Sequence, residues 1–392
     1  MNREESALLR RTGEVFSLPA FYYVDERHYA RELERFFFKR WIHAGRVEEL
    51  PEVGRYVVRS IADESIIITR SSDGQLRAFH NVCRHRGTRL CEAVEGRFPG
   101  VIRCPYHAWT FDLTGRLVAA PQMDGLAHFR KEDYPLGEVA VGHWDGHIFL
   151  NLAQNPAPLR DQLADLPEKF AAWGMQDLRL VRRIRYDVAA NWKLIIHNYS
   201  ECLHCPGVHP DLQRLSHYLS GENEPANQFY LGGRMILREG VETLSVDGRS
   251  VCGGLPGVSP QDRHRVYYYA VLPNLLLSLH PDYMMTHTLW PRGVGRTEIV
   301  CEWHVHPLAL GRSDFDPEPF IAFWDLTNRQ DWHVCEQMQL GLRSRAYRPG
   351  PYSPREELLH GFDAIIVGDG EVEVPSSVGS SSNEKPGADP PL

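Results

Sequence analysis

Two short runs carry paired metal ligands: Cys83-Arg84-His85 and Cys104-Pro105-Tyr106-His107, separated by 18 residues. Each run contributes one thiolate and one imidazole. Together they offer two thiolates for one iron and two imidazoles for the other iron of a [2Fe–2S] cluster, a mixed ligand set that lifts the reduction potential well above that of an all-cysteine cluster. Two Cys and two His also suit a structural zinc. Zinc-finger histidines, however, usually arrive as a pair after a Cys pair, whereas here Cys and His alternate on two loops rich in Gly, Pro and Arg. The spacing points to a cluster that moves electrons.

A second constellation lies in NWKLIIHNYSECLHCPGVHP, residues 191–210. Glu201 and His204 are three apart and share a helix face, while His209 would point elsewhere on a continuous helix. Pro206 and Gly207 are expected to end the helix and let the chain turn His209 back towards His204. Two imidazoles so placed lack one carboxylate of the 2-His-1-carboxylate triad that leaves open positions for oxygen on non-haem Fe(II). Asp331 is the candidate: it shares a helical stripe with Val334, Cys335, Met338 and Leu342, where an unpaired acid would be costly. Asp325 and Glu336 fall round the helix from that stripe and fit a solvated face. Two rival signals are weak. Cys202-Leu203-His204-Cys205 contains C-x-x-C, a redox pair or half a zinc site, but no second Cys pair stands at zinc spacing. His304-Val305-His306 can bind metal from one face of a strand, yet His304 is expected on a strand surface near a polar edge.

The runs CRHRGTRLC and CPYHAWTFDLTGRL resemble the Rieske domain of the ring-hydroxylating oxygenase family, and QDWHVCEQMQLGL resembles its segment carrying the third iron ligand. The resemblance spans residues 15–365. It implies an α+β protein, an N-terminal antiparallel β Rieske domain followed by a helix-grip-like catalytic domain. It implies a [2Fe–2S] cluster on Cys83, His85, Cys104 and His107, and a mononuclear Fe(II) on His204, His209 and Asp331. Glu201 matches the acid that, in this family, bridges an iron-ligating histidine to the cluster of a neighbouring subunit in a head-to-tail ring, so a homotrimer is implied. On this reading Cys202 and Cys205 are lining or packing residues. Glu rather than Asp at 201, together with SECLHCPGVHP, WDLTNRQDW and RAYRPGPYSPRE, resembles the glycine betaine, choline and carnitine monooxygenase branch. That implies O2-dependent oxidation of an N-methyl or quaternary ammonium compound, leading to N-demethylation or C–N cleavage. Hydroxylation of an aromatic or polycyclic metabolite by the same machinery is the alternative, and electron transfer without oxygenase activity a third.

A chain of 392 residues, 43% hydrophobic and 24% charged, has room for two domains with ordinary cores. Its net charge of -8 gives no reason to expect nucleic acid as a partner. No apolar run is long enough to span a membrane, and the N-terminus lacks the apolar core of a secretory signal, so a cytoplasmic location is expected. The eight cysteines do not suggest a disulfide framework. With no Gly-rich dinucleotide motif after a strand, electrons are expected from a separate NAD(P)H-dependent reductase or ferredoxin. Arg84, Arg86, Arg89, Arg97 and Arg103 either steer that donor or brace the cluster loops.

The elements that must position these groups divide the chain into residues 1–45, 46–153, 154–374 and 375–392. Residues 19–45 read as a turn at Pro19 and then a helix, a segment expected to pack on the catalytic domain. Strand patterns follow at Tyr56–Val58, Ser65–Thr69 and Leu76–Val82, then as hairpins around Leu113-Thr114-Gly115 and Trp144-Asp145-Gly146. The third part carries helices at Leu159–Trp173 and Asn191–His204. Four strands follow between Tyr267 and Val305, then a long helix from Asp316-Pro317 to Arg343. Aromatic residues Tyr267, Tyr268, Tyr269, Tyr283, Trp290 and Trp303 serve either as core or as a cation-binding cage. The last segment, without apolar periodicity, is expected to be disordered.

Overall fold

A computed structural model describes residues 15–368; the tail from 375 on lies outside them. Two seven-stranded antiparallel sheets organise the molecule. The first runs in the order Ile42–Arg46, His147–Asn151, Glu138–Trp144, Leu76–His80, Glu64–Arg70, Arg55–Ile61, Glu95–Arg97. A separate three-stranded sheet, Val101–Arg103, Thr110–Asp112 and Leu117–Ala119, carries the second cluster loop. The hairpin expected at 144–146 is present with Trp144 opposite His147. Its turn residues Asp145 and Gly146 both have positive φ, 44° and 85°, the conformation whose twist matches the flanking strands.

The N-terminal helical pattern stops short of expectation. It runs as Phe21–Val24, Glu26–Glu32 and a π-helical stretch Leu33–Phe38 that buries Phe36 and Phe37. Residues 42–46 then form a fully buried strand paired with 147–150, closing the edge of the first sheet, with its polar members His43 and Arg46 hydrogen-bonded rather than exposed. From these helices Glu32 accepts hydrogen bonds from Trp192 Nε1 at 3.0 Å and Lys193 Nζ at 2.7 Å, and the fully buried lysine is thereby neutralised.

The second sheet runs Arg179–Val188, Arg296–Val305, Tyr283–Gly293, Leu275–Leu279, Arg265–Val271, Tyr230–Ile236, Glu222–Asn223. The four expected strands are its centre. Its flanks, Arg179–Val188 and Tyr230–Ile236, lack a clear alternation: the first is an arginine-rich strand with mostly exposed or half-buried residues, the second is interrupted by Gly232-Gly233. The helix expected over 159–173 is broken into Leu159–Leu163 and Leu166–Phe170, with Ala164 at φ 50° and Pro167 opening the second piece. Helix Trp192–Tyr199 lies across the sheet, its N-terminus capped by Asn191 accepting from Lys193 N at 3.0 Å. The long helix Glu318–Gly341 packs against it, and Asp316 Oδ1 accepts from Glu318 N at 3.0 Å.

The two halves interlock along a seam. Arg46 donates from its guanidinium to Met175 O at 2.6 Å, and His43 and Asn274 exchange two hydrogen bonds at 2.8 and 3.0 Å. Glu49 binds Arg59 on one side and Arg183 on the other.

Candidate functional sites: two cluster loops and a buried triad

Each cluster loop is closed by its own backbone. Cys83 N donates to Thr88 O at 2.8 Å and Gly87 N returns to Cys83 O at 3.0 Å; Cys104 N donates to Trp109 O at 2.8 Å and Ala108 N returns to Cys104 O at 3.2 Å. Ala108 takes a positive φ of 59° to complete the second turn. The thiols of Cys83 and Cys104 are each 3% exposed and lie side by side; burial and the neighbouring sulfur push the Cys83 thiol up. Half-exposed His85 and His107 meet edge to face with ring centroids 4.7 Å apart, and His85 stacks on the buried Trp109 at 4.9 Å. His85 Nδ1 is buried without a hydrogen-bond partner. Two adjacent thiols and two converging imidazoles, one with an orphaned nitrogen, fit the mixed cluster. Below the loops, Asn81 Oδ1 accepts from Leu90 N and Cys91 N, both at 2.9 Å, anchoring the end of the first loop. Arg84, Arg86, Arg89 and Arg103 are exposed around the loops, whereas Arg97 is paired with Glu52 at 2.8 Å.

The second constellation also assembles, by a different route from the expected one. The helix ends at Tyr199, not near His204, because Ser200 Oγ bonds back to Ile196 O at 2.7 Å and the next residues turn. Pro206 and Gly207 do not terminate a helix; they sit in a single helical turn, Cys205–Val208, with Pro at its start. His209 follows with φ -124° and ψ 69°, and its ring lies 5.2 Å from that of His204. Asp331 comes from the long helix: His209 Nε2 is 2.7 Å and His204 Nε2 3.3 Å from its Oδ1. These three are a group whose donor atoms all lie within 4.8 Å of one another.

Both imidazoles are oriented from behind. Glu201 Oε1 accepts from His204 Nδ1 at 2.5 Å, and Gln330 Oε1 accepts from His209 Nδ1 at 2.7 Å, so both Nε2 atoms are turned towards the carboxylate. Glu201 also receives the backbone N–H of Leu203. Gln330 was not singled out in the sequence; its only signal is adjacency to Asp331. Burial disfavours a charged Asp331, yet hydrogen bonds from His204 and His209 outweigh it and hold the carboxyl below its usual range. His204 is pushed up to about 10: burial opposes its charge, and Asp331 and Glu201 overcome that.

Several expectations are corrected. Cys202 and Cys205 are joined in a disulfide rather than serving as free packing thiols, since the turn after Ser200 brings their Cα atoms to 5.0 Å. His304 is not on a polar strand surface but fully buried at the domain seam, its Nε2 3.5 Å from Glu48 Oε1, because residues 42–49 cover that strand. His306 caps the following helical turn instead, accepting from Leu308 N. Asp325 and Glu336 are half-buried and bonded, Asp325 accepting from Tyr186 Oη at 2.7 Å and Glu336 from Ala189 N at 3.0 Å. Met338 leaves the inward stripe and is 40% exposed.

A cavity opens onto the triad, walled by Tyr199, Tyr218, Tyr268, Met285, Trp324 and Trp332 among others. Of the six aromatic candidates only Tyr268 reaches it. Strand alternation sends Tyr267 and Tyr269 to the opposite face, against Phe170, and Tyr283 stacks inside the core on His280 and Phe320. Trp290 and Trp303 are also core residues. Tyr199 and Tyr268 meet edge to face at 5.9 Å, and Trp324 stands 6.4 Å from Tyr268. The helix-borne rings Tyr199 and Trp324 were missed because they sit on stripes that read equally well as core.

A domain with a Cys/His cluster site, joined to a second whose sheet grips a 2-His-1-carboxylate triad, defines an iron-dependent oxygenase component with separate electron and oxygen sites. Residues 40–130 match the Rieske [2Fe-2S] domain family and residues 175–367 the ring hydroxylating alpha subunit catalytic domain family. The carnitine monooxygenase oxygenase subunit of Escherichia coli (strain K12) is 40% identical, covering 86% of each chain. The glycine betaine monooxygenase oxygenase subunit of Chromohalobacter salexigens is 35% identical over 88% of this chain and 84% of its own. A crystal structure of the quaternary ammonium Rieske monooxygenase CntA in complex with an inhibitor superposes with a TM-score of 0.78 at 26% identity, covering 91% of this chain and 96% of that one. The chain belongs to the Rieske ring-hydroxylating oxygenase family. Its Rieske domain binds a [2Fe–2S] cluster and its catalytic domain a mononuclear iron. Among the described residues no helix is long and apolar enough to cross a membrane.

Proposed function

We propose that this chain is the oxygenase subunit of a cytoplasmic monooxygenase acting on an N-methyl or quaternary ammonium compound, with electrons supplied by a separate NAD(P)H-dependent reductase or ferredoxin. Cys83, His85, Cys104 and His107 hold the cluster, and His204, His209 and Asp331 hold the iron. Bound there, the cluster would supply one-electron reducing equivalents and the iron a centre with open positions for O2. Glu201 links His204 to the cluster of a neighbouring subunit in a homotrimer, and Gln330 keeps His209 in its metal-binding tautomer.

The observation that carries the substrate class is the cavity beside the triad, where Tyr199, Tyr268 and Trp324 present three ring systems around one space. Aromatic faces attract a cation that cannot be hydrogen-bonded, by about 0.5 to 2 kcal/mol per ring. The curated relatives named for carnitine and glycine betaine support the same class. The test is a reconstituted assay with a reductase, titrating glycine betaine, choline and carnitine against an aromatic panel. Substrate-dependent oxygen uptake with formaldehyde released from an N-methyl compound is the expected result; turnover confined to the aromatic panel would sink the proposal.

A further inference from the structure

Tyr283 and Met285 lie on the same face of strand Tyr283–Gly293, yet of the two only Met285 reaches the cavity beside the triad. Tyr283 is fully buried one repeat further along, its ring stacked between His280 at 4.0 Å and Phe320 at 4.6 Å. Its hydroxyl accepts from Trp324 Nε1 at 2.6 Å and donates to Leu244 O at 2.7 Å. An indole N–H can only donate and a carbonyl can only accept, so the hydroxyl proton has one place to be and the indole one direction to face. The segment carrying Leu244 is itself anchored. Thr243 Oγ1 donates to one oxygen of the buried Asp282 at 2.6 Å, and Ser250 Oγ to the other at 2.6 Å.

We propose that Tyr283 is a positioning residue for cation recognition: it turns the N–H edge of Trp324 into the core, so that the cavity meets the π surface of the indole. The inference rests on the reading that the cavity takes a quaternary ammonium group. An aromatic ring attracts a cation over its face and repels it at its electropositive edge, where an indole N–H carries the most positive charge. A quaternary ammonium has no N–H to offer an acceptor. The orientation of the surrounding rings is therefore what distinguishes it from a neutral group of the same shape. Without the Tyr283 hydroxyl, Trp324 would hold a buried donor with no partner, and water in the cavity that its ring already lines can supply one. Turning that way presents the wrong edge to a cation. Tyr283 touches no substrate and acts through Trp324 alone.

The test uses the full chain with both metals bound and calorimetric titration of two probes of one shape: glycine betaine, and the carboxylate in which carbon replaces its quaternary nitrogen. The wild type is expected to bind glycine betaine about tenfold more tightly. Tyr283→Phe keeps the ring stack and removes only the hydroxyl; it is expected to lower that ratio about three- to tenfold, weakening glycine betaine and leaving the carbon probe unchanged. Trp324→Phe should also lower the ratio. Adding Tyr283→Phe to it should change nothing more, because no N–H remains to be held. Equal weakening of both probes in Tyr283→Phe would mark a packing role and overturn the inference, as would additive effects of the two substitutions. Should loss of the hydroxyl unfold the chain, Trp324→Phe decides from the other side: a wild-type ratio there would remove Trp324 from cation recognition, and Tyr283 with it. A wild type that binds both probes equally would overturn the substrate class and the inference together, whereas a wild-type preference that survives Tyr283→Phe would overturn the inference alone.

Discussion

The cluster loops and the triad solve one problem, fixing several proposed metal ligands, by contrasting means. Each cluster loop is closed by backbone hydrogen bonds spanning at most five residues, and its imidazoles stand half-exposed at the loop tips. The triad draws ligands from segments 122 residues apart and orients them with side chains, Glu201 behind His204 and Gln330 behind His209. The first site is a local object that needs only its loops. The second exists only while the helix Glu318–Gly341 is seated against the sheet. Sites that hand electrons across a surface can be local and exposed; a site that must shelter oxygen chemistry has to be made from the core.

Independence of the two sites is the sharpest consequence. Asp331→Ala is expected to abolish mononuclear iron binding and turnover while the cluster absorption stays, lowering iron from about three to about two per chain. Cys104→Ser is expected to do the reverse, bleaching the cluster and leaving the triad iron. Loss of both metals from either variant would show that the sites fold as one unit. Glu201→Gln keeps a hydrogen-bonding group behind His204 but removes the charge; both metals should remain while turnover falls about 10- to 100-fold. Normal single-turnover rates in that variant would remove Glu201 from the electron path. Replacing Arg84, Arg86 and Arg89 together by Gln should lower the donor on-rate several-fold at low salt and flatten its ionic-strength dependence. A wild-type rate indifferent to salt would assign these residues to loop bracing instead.

The smallest effect tests the seam between the two regions. Burial, with Arg46 nearby, holds His43 down to about 3, against 6.5 when exposed, and pushes His147 and His304 well below their ordinary range. Below pH 6.5 the unfolded chain binds protons that these folded histidines refuse, so stability rises with pH and is lost as pH falls from 6.5 towards 3. Each such group contributes a slope of up to about 1.4 kcal/mol per pH unit. Chemical denaturation between pH 5 and 7 should show a shallower slope in His43→Gln than in the wild type; an unchanged slope would mean that this histidine titrates normally.

The same contrast explains what could be read from the sequence. Cys83, His85, Cys104 and His107 were legible because a short loop encodes its own geometry in spacing. His204, His209 and Asp331 were legible by residue type, yet the route bringing them together was misjudged, since nothing at Ser200 or Pro206 announces which backbone bonds will form. Gln330 and Trp324 were invisible, as a polar residue beside a ligand and an aromatic on a helical stripe each have a commoner explanation. His304 failed for a related reason. A strand position reads as solvent-facing until the residues that will cover it, here 42–49, are known to fold back.

That fold-back bears on how such a protein can be rebuilt. Strand Ile42–Arg46 pairs with His147–Asn151 in the cluster domain's sheet, while Arg46 reaches Met175 and His43 clasps Asn274 in the other half. A graft that exchanges residues 46–153 between family members would cut this strand at its last residue and leave the donor module missing an edge. Chimeras intended to retune electron delivery need junctions upstream of residue 40, with the complementary partners of residues 43, 46 and 49 carried along. The electron module is portable only together with the surface that receives it.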